Sequence, residues 1–266
     1  MVLKKRIISI LLITIMIITY MPILSFADGD IASGTCGTCD WVIDADGILT
    51  IYGGELDKWE EVPPWLKYSN RITSARFSGT VKAKTCSRMF DSCENLISVN
   101  LKSLDMSNVE SMYQMFSCCT SLEIVDFANV DTSGVKNMDF VFNECASLET
   151  IDLSHLDTSN ATTMVWMFAK CKHLKTLDLR SFDTSKVTDM SYMFGECESL
   201  KTVDLSTFDT SNVTNMEQMF IWCSSLEAID LSNFNTSNVT IIDSMFYECS
   251  SLNSIDLSSF DTSNFR

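Results

Sequence analysis

Six aspartates that recur at one fixed interval are the residues of this chain with the clearest chemical potential. Each lies between two apolar residues of a short alternating stretch, as in Val203-Asp204-Leu205, so its side chain is expected to point outward from a strand. A column of carboxylates can recognise basic groups or bind Ca²⁺. It can also form a solvated, charged edge that keeps an exposed sheet from aggregating. We favour the solvated edge as the interpretation. The candidate partner-binding residues under the other interpretation are Asp126, Asp152, Asp178, Asp204, Asp230 and Asp256.

A second acidic column, which includes Asp183 and Asp209, begins the repeated D-T-S strings. Aspartate side chains in such strings commonly accept hydrogen bonds from nearby backbone amides. We therefore expect these residues to stabilise turns, and we favour that role over a metal site.

Catalysis has little support in the sequence. The two histidines, His155 and His173, lie at variable repeat positions, and neither has beside it a serine or cysteine that breaks the repeat pattern and would suggest a nucleophile pair. The chain carries no HExxH, GxSxG, phosphate-binding or dinucleotide-binding motif. We expect a protein that is not an enzyme and that uses no cofactor or catalytic metal.

The chain has eleven cysteines, and seven of them share one repeat position, from Cys93 to Cys249. Free cysteine packs as a small apolar residue, so these seven are expected to be buried thiols without disulfide partners. Cys36 and Cys39 form a separate CxxC motif. A redox site is one reading of this motif. We favour a local disulfide or a structural pair, because the motif does not open a helix after a strand.

All these positions recur with one sequence repeat. Its period is the interval from Phe168 to Phe194, and it has no insertion or deletion. An unbroken period of this length is typical of repeat architectures, in which each unit buries its core only by stacking on its neighbours. One phenylalanine marks the register of each unit, at Phe90, Phe116, Phe142, Phe168, Phe194, Phe220 and Phe246.

Each repeat is predicted to contain an α-helix and a short strand. Met190, Met193, Phe194 and Cys197 have the i, i+3, i+4, i+7 spacing of one helix face. The L-x-x-V-x-L stretch that starts at Leu200 alternates as a strand does. The predicted fold class is therefore α/β. It is a leucine-rich-repeat-like solenoid with a parallel sheet over residues 72–266, made of about seven full repeats after one degenerate copy.

Residues 28–71 are predicted to cap the open end of this solenoid. Two alternating runs, 41–43 and 48–51, flank Asp44-Ala45-Asp46-Gly47, which is the composition of a tight β-hairpin turn. A cluster of aromatic and proline residues that includes Trp59 and Trp65 follows. A carbohydrate-binding platform built from the two tryptophans is the alternative to capping, and we favour capping.

Residues 1–27 resemble a secretory signal peptide. They begin with Lys4, Lys5 and Arg6, continue with an apolar run, and end in Ser25-Phe26-Ala27. A retained transmembrane anchor is the alternative, because the run is nearly long enough to span a membrane. The chain has a net charge of −16, and cleavage would make it more acidic. This charge argues against nucleic acid as a partner, and we expect no membrane insertion after cleavage.

The repeat pattern M-x-x-M-F-x-x-C-x-S-L-x-x-I-D-L-S-x-F-D-T-S-N-V resembles the BspA-like family of bacterial leucine-rich-repeat surface proteins. Ser33-Gly34-Thr35-Cys36-Gly37, residues 46–51 and Pro64-Trp65 are similar to the cap that often precedes such repeats. The resemblance covers nearly all of 33–266. It implies a secreted or surface-displayed protein of a host-associated bacterium. It also implies adhesion to host matrix proteins, such as fibronectin or fibrinogen, or to other cells.

From these features we expect a secreted or cell-surface repeat protein that acts as an adhesion or protein-binding module. Its partner would be an extracellular protein or glycan, with host matrix proteins among the candidates. The alternative is a structural spacer or matrix component that has no ligand site in its repeats. The sequence stops at Arg266, early in an eighth turn and without a wall-anchoring motif. We therefore expect either a short gene product or a missing C-terminal part.

Overall fold

The computed structural model of the protein describes residues 29–266. The predicted signal peptide, residues 1–27, lies outside the described residues. Within 29–266, no helix has both the length and the apolar composition needed to cross a membrane.

The N-terminal part forms the predicted hairpin with one additional strand. The strands are β1 (Ala32–Cys36), β2 (Cys39–Ile43) and β3 (Ile48–Glu55). β2 and β3 pair antiparallel, with Trp41 opposite Ile51, so the hairpin prediction is confirmed. Asp44 Oδ1 accepts hydrogen bonds from the backbone N–H groups of residues 46 and 48, and Gly47 supplies the positive φ of the turn. β1, which pairs antiparallel with β2, was not predicted.

The sheet continues from the hairpin into the first repeats. Its remaining strands are β4 (Ser74–Lys82), β5 (Ser98–Asn100), β6 (Leu104–Asp105) and β7 (Ile124–Asp126). β3, β4, β5 and β7 follow one another as parallel neighbours, and β6 pairs with β4. The whole sheet is therefore mixed. Later repeats remain aligned through single parallel bridges between equivalent positions of neighbouring repeats, such as Asn137 to Thr163.

A short 3-10 helix, Pro64–Arg71, packs its Trp65 side chain into the core. Trp65 is fully buried, and its Nε1 donates to the carbonyl of Met89 at 2.8 Å. Trp59 Nε1 donates to the carbonyl of Ser87 at the same distance. These bonds attach the cap to the first repeat. A fully buried Trp65 ring cannot present its face to a sugar, so the platform alternative loses one of its two residues.

The α/β fold class is wrong, because the described repeats contain no α-helix. The strand predicted for every repeat is also wrong for the repeats after β7, whose L-x-x-V-x-L stretches form no strand. In residues 190–197, alternate amides close tight turns: Met193 N–H donates to Met190 C=O at 3.2 Å, and Cys197 N–H to Phe194 C=O at 3.2 Å. The amides between them bond to the next repeat, as Phe194 N–H does to Met219 C=O at 2.9 Å. An α-helix would use these same amides internally, in i to i−4 bonds.

Positive φ angles explain how alternate amides come to point in opposite directions. Each full repeat has two such residues, which lie two positions before and two after its marker phenylalanine, as Tyr192 (φ 59°) and Glu196 (φ 61°) do around Phe194. A right-handed α-helix cannot contain these angles. The row of turns nevertheless keeps the side chains at positions 1, 4, 5 and 8 on one face. The apolar spacing was therefore read correctly as a buried face and wrongly as a helix.

The buried columns are confirmed. The apolar side chains that the repeat pattern places on one face between residues 190 and 205 are all buried, including Met190, Phe194 and Cys197 at 0% exposure. The marker phenylalanines stack face to face along the repeats, with ring centroids 5.2 to 5.9 Å apart and planes within 10°. All eleven cysteines are free. Six thiols of the buried column donate to a phenylalanine carbonyl in the preceding repeat, as Cys197 does to Phe168 at 3.1 Å.

Candidate functional site

The outward aspartate column lies where the sequence places it, at the end of each L-x-x-V-x-L stretch. Asp126 is half-buried and the other five residues are exposed. Each carboxylate accepts a hydrogen bond from the backbone N–H two residues later, as Asp204 Oδ1 does from Ser206 at 3.0 Å. The equivalent bonds at the other five positions are 2.9 to 3.1 Å long. One oxygen of every carboxylate therefore holds a turn.

Charge and hydrogen bonding keep these exposed carboxylates ionised. Hydrogen bonds from Ser154 and Ser206 lower the pKa of Asp152 and of Asp204. At Asp178, the Arg180 side chain donates to both carboxylate oxygens, at 2.9 and 2.6 Å, and lowers the pKa to about 2. A shallow depression of about 400 Å³ lies beside Asp152, Asp178 and Arg180. Arg180 pairs with Asp178 and so neutralises one of the two aspartates that border the depression.

The second acidic column has the turn role predicted for it. Asp183 Oδ1 and Asp209 Oδ1 each accept a 2.9 Å bond from the backbone N–H two residues later. Within residues 29–266, no group of three or more His, Cys, Asp or Glu side chains is arranged to hold a metal ion.

A buried threonine column beside it was missed by the sequence analysis. Thr184 Oγ1 donates to the Asp209 carbonyl at 3.0 Å and accepts from the Asp209 N–H at 2.9 Å, so one hydroxyl pairs both backbone groups of the next repeat. The side chain is only 1% exposed. The same arrangement and burial occur at Thr132, Thr158, Thr210 and Thr236. Because threonine stands in a string of polar residues, the pattern predicted a surface turn position for it.

The CxxC motif joins β1 to β2, and Cys36 lies directly opposite Cys39 in the strand register. Both thiols are free and buried. Burial, followed by the charges of Cys36 and nearby carboxylates, raises the pKa of Cys39 to about 11. A redox-active cysteine needs the opposite shift, because the thiolate is the reactive form. These features support a structural pair.

An outer aromatic column, made of Phe140, Trp166 and Tyr192, is the main surface feature that sequence reasoning missed. These residues lie two positions before the marker phenylalanine in three consecutive repeats. The Trp166 ring centroid is 5.7 Å from that of Phe140 and 4.0 Å from that of Tyr192, and both pairs are stacked. All three side chains are half-buried. The equivalent positions in neighbouring repeats are Gln114 and Gln218, so the aromatic run breaks the repeat pattern, which was the available signal.

Charged groups surround this column. Lys170 Nζ lies 5.7 Å from the centroid of the Trp166 ring and 2.9 Å from Glu144 Oε1. Burial, followed by the charges of Glu196 and Glu217, raises the pKa of Tyr192. The Tyr192 backbone N–H donates to the Glu217 carbonyl at 2.9 Å. Within the described part of the chain, neither glutamate has an ion-pair partner within 4.0 Å.

Further exposed aromatic residues lie in the two repeats that follow Tyr192. Trp222 is 43% exposed and Tyr247 is 54% exposed, and their rings meet edge to face at 6.5 Å. Trp222 occupies the repeat position held by Lys170 and Glu196 in the two preceding repeats. Stacked and exposed aromatic rings of this kind form a surface that can recognise an amphipathic group.

Comparisons with known proteins place the repeats in a sequence family. Two overlapping stretches, residues 84–201 and 166–266, match the family DUF285, described as "Mycoplasma protein of unknown function". No curated protein sequence matches the chain.

Two solved structures are similar at 16% sequence identity. One is a leucine-rich repeat protein from Eubacterium ventriosum, with a TM-score of 0.28, and the alignment covers 86% of this chain and 92% of that chain. The other is a leucine rich cell surface protein from Faecalibacterium prausnitzii, with a TM-score of 0.30, and the alignment covers 88% of this chain and 97% of that chain.

Proposed function

We propose that this chain, which belongs to the DUF285 family, is an exported bacterial repeat protein that binds an extracellular protein or glycan. The outer aromatic column carries this proposal. Core packing does not require aromatic residues there, since Gln114 and Gln218 occupy the same backbone position in other repeats. Aromatic residues on an accessible surface are enriched at sites of protein association.

Export and surface location are part of the same proposal. The signal-peptide pattern of residues 1–27 supports secretion, and the resemblance to BspA-like proteins supports adhesion, with host matrix proteins among the candidate partners. The acidic net charge of −16 disfavours nucleic acid as the partner. We propose no catalytic role and no membrane insertion after the signal peptide is removed.

A structural spacer is the second candidate. One observation favours it: the polar columns form hydrogen bonds and ion pairs within and between repeats. Thr184 pairs with the next repeat, and Asp204 closes its own turn. Lys201 Nζ contacts Glu227 Oε1, one repeat away, at 2.9 Å. Polar groups engaged in this way hold a rod together without needing a ligand.

Binding of the full chain to a panel of purified matrix proteins and matrix glycans distinguishes the two candidates. The test variant is Trp166→Gln with Tyr192→Gln, which introduces the residue that this position already holds in two other repeats. The control is Asp204→Asn with Asp230→Asn on the aspartate column. We expect the wild type and the control to retain a partner, and the test variant to lose at least about ten-fold in affinity. The binding function is wrong if the wild type binds no member of the panel, or if the test variant binds as tightly as the wild type.

A further inference from the structure

We propose that a disulfide joins Cys36 to Cys39 in an oxidising compartment and locks the turn between β1 and β2. The chain has eleven cysteines, and the other nine stay as thiols. Disulfides persist in extracellular and other oxidising environments, so the bond fits the proposed export. It requires no binding partner, and it holds or fails independently of the proposed binding function.

The strand register places the two cysteines directly opposite each other. β1 and β2 pair antiparallel, and Cys36 and Cys39 form the last pair before the two-residue turn Gly37-Thr38. Directly opposed Cα atoms in such a pair lie about 4.5–5.5 Å apart, and their side chains project from the same face of the sheet. Disulfides span Cα separations of about 4.4–6.8 Å, so the two sulfurs can be joined without a rearrangement of the strands.

Contacts with the end of β3 hold the turn in the conformation that opposes the two thiols. Gly37 has a φ of 63°, and a Cβ there would lie 2.2 Å from the Glu55 carbonyl oxygen, so no larger residue fits. Thr38 N–H donates to that carbonyl at 2.9 Å, and Thr38 Oγ1 accepts from the Glu55 N–H at 2.9 Å. Because these contacts already fix the backbone, closing the bond orders few further groups.

Exposure decides which cysteine reacts first. Cys36 is 9% exposed and Cys39 is fully buried, so an oxidant reaches the Cys36 sulfur. The Cys36 thiolate attacks a small disulfide such as glutathione disulfide, which releases one glutathione thiolate and leaves a mixed disulfide. The Cys39 thiolate then attacks Cys36 Sγ and releases the second glutathione. Two protons and two electrons thus pass from the cysteine pair to the oxidant, which becomes two thiols.

The raised pKa values that disfavour a catalytic role favour the disulfide once it has formed. Burial raises the pKa of Cys36, against the effect of a hydrogen bond to the Asp57 carbonyl. Burial, followed by the charge of Cys36, raises the pKa of Cys39 to about 11. Stabilised thiolates make a disulfide easy to reduce, and a pair whose thiolates are destabilised is correspondingly more stable in the oxidised form.

The remaining cysteines have a different arrangement. Six thiols of the buried column each donate to a phenylalanine carbonyl. Cys118, which is half-buried, donates to Glu144 Oε2 at 3.7 Å. Within the strands of residues 29–266, Cys36 and Cys39 are the only cysteines in opposed register.

Mass spectrometry and thermal melting test the assignment. The folded full chain is incubated with glutathione disulfide, unfolded in urea and treated with iodoacetamide, which labels free thiols. Melting temperatures of the oxidised protein are measured with and without dithiothreitol. The test variant is Cys36→Ser with Cys39→Ser. Cys118→Ser is the matched control, because Cys118 is the least buried of the other thiols.

We expect the peptide that contains Cys36 and Cys39 to be unlabelled and lighter by two hydrogen atoms, and the other cysteines to be labelled. The loop that the bond closes is short, so dithiothreitol should lower the melting temperature of the wild type and of Cys118→Ser by about 4–8 °C. The melting temperature of the test variant should not respond to dithiothreitol.

Labelling of both Cys36 and Cys39, or a disulfide between another pair of cysteines, would overturn the proposal. A wild-type melting temperature that dithiothreitol does not change would overturn it too, because the bond would then not lock the turn. A chain that is oxidised as expected but binds no matrix partner would contradict the proposed function and leave this inference intact.

Discussion

The buried threonine column gives the sharpest test of how the repeats are held together. Thr184→Val keeps the volume and the β-branch of the side chain but removes the hydroxyl. The backbone N–H and C=O of Asp209 then lose their hydrogen bonds to the Thr184 hydroxyl, which are 2.9 and 3.0 Å long. Each intramolecular hydrogen bond contributes about 0.5–1.5 kcal/mol, so the two together predict a loss of roughly 1–3 kcal/mol in the free energy of unfolding.

Two companion variants separate hydrogen bonding from packing. Thr184→Ser keeps the hydroxyl and loses one buried methyl group, which costs about 1 kcal/mol. Thr202→Val places valine at an exposed position of its L-x-x-V-x-L stretch and should stay within about 0.5 kcal/mol of the wild type. Urea denaturation followed by circular dichroism measures all three, with midpoints compared at a common slope. If Thr184→Val were as stable as the wild type, the hydroxyl would not couple the repeats and our reasoning would be refuted.

Three further predictions concern the turns, the aspartate column and the thiols. Gln114 has a φ of 55°, a backbone conformation that glycine adopts more easily than valine. The free energy of unfolding of Gln114→Gly in urea should therefore exceed that of Gln114→Val by about 1–2 kcal/mol. An α-helix would give the reverse order, which would contradict the turn structure. Arg180 lowers the pKa of Asp178 to about 2, so the stabilising pairing is fully present above the normal aspartate pKa and is lost as pH falls through about 2. Arg180→Ser should therefore raise the pKa of Asp178 in an NMR titration. An unchanged pKa of Asp178 would exclude the pairing in solution. Burial raises the pKa of Cys171 to about 12. We therefore expect this thiol to resist alkylation at pH 8 in the native protein and to react once urea unfolds the chain. Rapid alkylation of the native protein at Cys171 would show that the cysteine column is open to solvent.

The candidate site was only partly accessible to sequence reasoning. The aspartate column was found, because its spacing and its apolar neighbours are visible in the chain. Its turn bonds were not, because they depend on where the N–H of a residue such as Ser206 points. The outer aromatic column was missed for a related reason. Phe140, Trp166 and Tyr192 lie one full repeat apart in the chain and come together only when the repeats stack.

The period, the hairpin and the set of buried columns could all be read from the amino-acid sequence. Burial follows from hydrophobic side chains recurring in a fixed register, and both are properties of the chain read in one dimension. The path of the backbone depended on the packing of one repeat against another. The apolar spacing of residues 190–197 suits an α-helix and a row of turns equally well. Stacking selects the turns, because Phe194 N–H then finds its acceptor in the next repeat, at Met219, instead of within its own segment.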